Sequence, residues 1–149
     1  MSRTWRCDRG TSLIEFAIAA PMIVFLLIGL IEIGRYTYFA ILAASAARAG
    51  AQYGAQDLLT AYDQSGIESA ASADGENLPN WTVTVNELCA SAGSAPAQCN
   101  TPWGSSPPAG ITYYVDVGVT GTFTTLMNYP GIPNNIAISG SSTMRVATQ

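Results

Sequence analysis

The chain has 149 residues, of which 48% are apolar or aromatic and only 11% charged, and its formal net charge is −4. That length bounds one modest folded region plus one long helix, and the acidic balance excludes polyanion or nucleic-acid binding as a default. The absence of His excludes a His-based triad or a His metal site, and no Gly-rich loop is followed by Lys, so no catalytic residue, metal set or cofactor is expected.

Residues 1–10 form a polar leader with Arg3, Arg6 and Arg9, half of all the basic residues in the chain. Cys7 lies in it, ahead of the apolar segment rather than behind it, and reads as a reduced thiol. Gly10 ends the leader and Glu15 follows five residues later. An apolar run then extends over 16–31 and is closed by Glu32 and Arg35. A bilayer core needs about 20 mainly apolar residues in a helix, and 11–34 meets that length. In lipid every backbone polar group must be paired internally, so the run is expected to be helical, with a kink at Pro21. The leader arginines place the N-terminus in the cytoplasm and the remainder outside. A cleaved secretory signal is the competing reading, but no A-x-A site directly follows the apolar core, and Ala43–Ala46 would serve only if the apolar region were far too long.

Glu15 admits two readings: an interfacial carboxylate reaching the headgroups, or a functional group awaiting a partner. Glu32 and Arg35, at i,i+3 spacing, read as a surface ion pair. Glu15 and Glu32 are separated by roughly 25 Å along a helix and cannot form a carboxylate dyad.

The order Gly10, Glu15, apolar helix resembles the prepilin signal of type IV pilins and pseudopilins. The longer run EFAIAAPMIVFLLIGLIEIGRYTYFAILAASAARAGAQYG resembles the start of TadE-like proteins, minor pseudopilins of Tad (Flp-type) pilus systems. Its recognisable pieces are Glu15-Phe16, Pro21, the GLIEIGR stretch over 29–35 and AARAGAQY over 46–53. The resemblance covers about the first third of the chain. It implies that a prepilin peptidase cuts between Gly10 and Thr11 and leaves the helix on the protein. It also implies that Glu15 meets the terminal amine of a neighbouring pilin or pseudopilin during assembly on the inner-membrane platform. The alternative is an uncut single-pass anchor whose outer domain binds a partner.

Beyond the membrane the helix should continue to about Gly54, since Ala is the best helix former and no Pro intervenes. Its small residues, Ala43, Ala47 and Ala51 with Ala40 and Ala44, would let one face lie on the head and another on neighbours. Gly50 and Gly54 are expected to fray or end it. The segment 56–64 reads as a polar connection. A second short helix is expected over 65–77, started by a capping box of Ser65 and Glu68 and stopped by Pro79. Its apolar side would carry Ile67, Ala70, Ala71 and Leu78, with Asp74 as the one polar member.

Three alternating runs read as strands: 81–88, 111–123 and 136–146. The third, rich in Ser and Gly, is expected to be bulged or at an edge. Helices followed by strands argue an α+β fold: a long N-terminal helix, a short helix and a small antiparallel sheet. The expected division is leader 1–10, transmembrane and extended helix 11–55, and extracytoplasmic head 56–149. Between the first two strands lies a Gly/Ser/Pro-rich loop with Cys89 and Cys99. Outside the membrane such a pair reads as a disulfide, with free thiols or a metal site as alternatives. A second loop, 127–135, either touches a neighbour or covers the sheet.

Overall fold

The computed structural model describes residues 10–99, 110–127 and 133–147. The leader with its arginines and Cys7, most of the second half of the Cys-bearing loop, and positions 128–132 of the last loop lie outside the described residues. The elements are α1 (Thr11–Gly54), α2 (Leu58–Tyr62), α3 (Gln64–Gly75), β1 (Thr82–Ser91), β2 (Ala97–Gln98), β3 (Ile111–Thr124) and β4 (Asn135–Arg145). This is the expected α+β class. The chain divides into two compact units, Met1–Arg35 and Tyr36–Gln149.

In the first unit α1 is apolar all the way round, and its side chains lie exposed: Leu13 at 70%, Phe25 at 66%, Leu26 at 74%. A soluble helix hides one apolar stripe and wets the other face; a helix apolar on every side needs an apolar surrounding. By length and composition α1 can cross a membrane. Pro21 lies inside it.

The second unit has two layers. The sheet is antiparallel throughout, in the order β2-β1-β3-β4. Alternation sends Tyr113, Val115, Val117, Val119 and Phe123 of β3 into the core, as their period-2 spacing predicts. Burying each of the three valines contributes about 1.5–3 kcal/mol. Ile138 and the following Val146 complete that side, while Thr82 and Thr120 share a hydroxyl hydrogen bond of 2.7 Å on the exposed side.

The core's other layer comes largely from the later part of α1, and small residues set its distance from the sheet. Ala43, Ala46, Ala47 and Ala51 are fully buried. At Gly140 of β4 the two layers approach closely: a Cβ there would fall 2.5 Å from the backbone carbon of Ala43 and the backbone nitrogen of Ala44. Gly50 neither frays nor ends the helix. It lies within α1 and admits Val117, Ala71 and Ile67, each 3.2–3.3 Å from where its Cβ would be. The Ala43, Ala47, Ala51 row is therefore spent on the chain's own sheet, and of the small residues expected to face neighbours only Ala40 and Ala44 keep partial exposure.

Two further expectations are corrected. The connection over 56–64 contains α2, opened by Asp57: its side chain accepts from Thr60 N (2.7 Å), and the Thr60 hydroxyl accepts from Asp57 N (3.0 Å). The next helix starts one residue before Ser65 and ends at Gly75, and its N-cap is Asp63, accepting from Gly66 N at 3.0 Å. Ser65 instead donates its hydroxyl to Asp63 (2.7 Å), and Glu68 accepts from the Gln64 side chain (3.0 Å). An Asp carboxylate one position ahead of the helix satisfies an orphan N–H directly, which the Ser65 and Glu68 pattern only mimics. On this helix Ile67 and Ala71 are buried, Asp74 is exposed, and Gly75 takes the buried place at the end. β4 lies at the sheet edge, one of the two places expected for it, and carries no bulge: its register with β3 runs unbroken from Thr124↔Asn135 to Tyr114↔Arg145. Its glycine makes room for α1 rather than breaking the ladder.

Candidate functional site

Gly10 precedes the first residue of α1, is exposed, and has nothing within 4 Å of where a Cβ would be. Thr11 opens the helix. The bond between them therefore joins an unobstructed glycine to a helix N-terminus, whose first N–H groups have no partner within the helix. Glu15 is exposed four residues on, about 6 Å further along the axis.

Glu32 and Arg35 form the expected ion pair, Arg35 Nη1 to Glu32 Oε2 at 2.9 Å. Glu32 is not on the surface, however; it is 9% exposed. The pairing thus holds a carboxylate that would be costly to bury alone.

Cys89 and Cys99 are joined in a disulfide with Cα atoms 5.2 Å apart. Its place is at one edge of the sheet, where β2 pairs with β1 through Leu88↔Gln98 and Cys89↔Ala97, and Cys99 N donates to Glu87 O at 3.3 Å. Sequence reasoning missed β2, whose two residues carry no periodic signal of their own. Glu87, beside this edge, is part-buried, and burial raises its carboxyl above the usual value.

A further cluster escaped the sequence reading. Tyr53, in the last turn of α1, donates its hydroxyl to Asp63 Oδ2 at 2.8 Å. The Ser65 hydroxyl, the Gly66 N–H and the Tyr53 hydroxyl together hold the Asp63 carboxyl below its usual range. The same bond, with desolvation, raises the Tyr53 phenol above its own. The signal available in the sequence was the pair Asp57 and Asp63, six apart, each followed three residues later by a chain N–H to cap. Among the described residues no group of three or more His, Cys, Asp or Glu is placed to hold a metal ion.

A search of curated proteins finds no match, and neither does a search of solved structures. The model of the family described as TadE-like protein matches residues 10–52. That span opens on Gly10, contains Glu15, Pro21 and the Glu32–Arg35 pair, and ends within the last turn of α1. It is short of a third of the chain and leaves α2, α3 and the sheet unmatched. Over residues 10–52, then, this chain is similar to the TadE-like family, the family that its glycine, glutamate and apolar helix resemble.

Proposed function

We propose that the chain is a minor pseudopilin of a Tad-type pilus assembly system. It enters the bacterial inner membrane with its N-terminus in the cytoplasm and its head outside. A prepilin peptidase cuts it between Gly10 and Thr11. It then joins other pilins or pseudopilins, on the assembly platform, through α1. The observation that carries this reading is the coincidence of three boundaries: the family match begins at Gly10, the helix begins at Thr11, and the carboxylate of Glu15 stands exposed one turn later.

The chemistry is that of alignment rather than catalysis. Cutting frees an amine at Thr11, and a neighbouring subunit's Glu15 offers it a carboxylate. In a low-dielectric surrounding the attraction between such a pair is far stronger than in water. Truncating one partner of a buried pair typically costs about 3–5 kcal/mol. Subunits out of axial register leave Glu15 unpaired, so this difference favours the aligned assembly. The competing reading, an uncut anchor with a binding head, gives Glu15 no such task.

Glu15→Ala tests the proposal. The substitution makes the helix more apolar and leaves the leader arginines untouched, so insertion should persist. The expected result is a cut, membrane-resident subunit that no longer co-purifies with its pilin partners. Recovery with those partners at wild-type yield would show that Glu15 is only an interfacial side chain.

A further inference from the structure

In the second unit β3 and α1 run antiparallel. Val115 lies against Gly54, Val117 against Gly50, and Phe123 against Tyr36 and Phe39, with ring centroids 5.7 and 6.0 Å apart. From Val115 to Phe123 the strand advances about 26 Å, and from Gly54 to Tyr36 the helix covers about 27 Å. The two elements therefore keep pace, and the last residues of β3 lie at the end of the second unit where its part of α1 begins, at Tyr36. Just past the end of β3 are Leu126, 63% exposed, and Met127, 46% exposed. Tyr36 and Tyr38, on the neighbouring turn of α1, are exposed at 40% and 54%.

We propose that Leu126 and Met127, just past β3, seat in the headgroup region of the bilayer where α1 leaves it. The inference rests on the membrane-crossing reading of α1 and goes beyond it by adding a second point of attachment. Tyr36, the first residue of the second unit, packs on Phe123, and Leu126 follows Phe123 three residues later. Tyrosines favour the membrane–water boundary, where a ring with an apolar body and a polar tip is satisfied on both sides. Two neighbouring large apolar side chains gain by entering the same zone. A single helix leaves the head free to swing and rotate about its axis. A second contact removes that freedom and presents one fixed face of the head to approaching subunits.

The test uses the full-length chain with Cys7→Ser, in vesicles of phosphatidylethanolamine and phosphatidylglycerol. An environment-sensitive maleimide dye is placed in turn at Met127→Cys, at Ala92→Cys in the turn at the opposite end of the sheet, and at Ile23→Cys within α1. Emission is read with lipids brominated near the headgroup or at mid-chain. Blue-shifted emission quenched by the headgroup-proximal bromine at Met127, with water-like emission at Ala92, supports the proposal; adding Leu126→Asp should then remove the quenching. Quenching at Ile23 without any at Met127, or equal quenching at Met127 and Ala92, overturns it while the membrane-crossing helix stands. Quenching that survives Leu126→Asp also overturns it, since Leu126 then contributes nothing. No quenching at Ile23 removes the membrane-crossing reading and the second contact with it.

Discussion

The Tyr53 hydroxyl and the Asp63 carboxylate, 2.8 Å apart, tie the last turn of the long helix to the cap of α3. Asp63 also receives the Gly66 N–H and the Ser65 hydroxyl, so one carboxylate serves two helices. Its folded value lies below the ordinary one, and the stability it contributes is therefore present above the ordinary carboxylate range and lost as pH falls through the lowered value. Tyr53 works in the opposite sense. Its raised value means that its contribution is present below the ordinary phenol value and disappears as pH rises through the folded one. Thermal melts in detergent should show Asp63→Ala less stable at neutral pH, with a flatter acid limb than wild type. Tyr53→Phe should lower the melting temperature less, because the cap on Gly66 survives, and should flatten the alkaline limb. Identical acid limbs for wild type and Asp63→Ala would contradict this account.

Gly140→Ala is expected to destabilise the head. The added methyl meets helix backbone at Ala43 and Ala44, not a side chain that can turn away. Overpacking of this kind costs about 1–3 kcal/mol. Denaturant midpoints read the loss. Ser141→Ala, one position along on the exposed side of β4, should leave the midpoint nearly unchanged. Equal midpoints for Gly140→Ala and wild type would mean that the helix does not approach β4 as described.

Reducing the Cys89–Cys99 bridge should loosen one edge of the sheet. In the chain-entropy account, closing a loop of about ten residues stabilises by roughly 2–3 kcal/mol. Protein isolated from the cell envelope should therefore resist thiol labelling at both positions until a reductant is added, and should unfold at lower denaturant afterwards. Labelling of both without reductant would remove the bridge from the account.

The parts of this fold that were legible in the sequence are those in which one physical rule dominates. Tyr113, Val115, Val117 and Val119 alternate because β3 has one dry face and one wet one, and a period of two is the direct record of that. The apolar helix was legible for a similar reason, since its residues have one surrounding on every side. Boundaries were less legible because several residues could serve. Ser65 with Glu68 satisfies the rule for a helix start, yet Asp63 wins by also accepting from Tyr53, a contact made only once the chain has folded. Gly140, in a Ser/Gly-rich stretch, carries the local signature of a bulge; what decides its role is the helix backbone lying on it, nearly a hundred residues away in sequence. β2 exists through its pairing with β1 beside the disulfide. At the candidate site the sequence supplied Gly10 and Glu15, and the fold adds only that both are exposed. The groups that would act on them, a peptidase and a neighbouring amine, belong to other molecules.

The most direct measurement of the central claim is the intact mass and N-terminal sequence of the protein from cells that contain the cognate peptidase. The account predicts a chain beginning at Thr11, with the leader and Cys7 gone, and full-length protein retained when Gly10→Val places a branched side chain at the cut. A wild-type chain that still begins at Met1 under those conditions would contradict it.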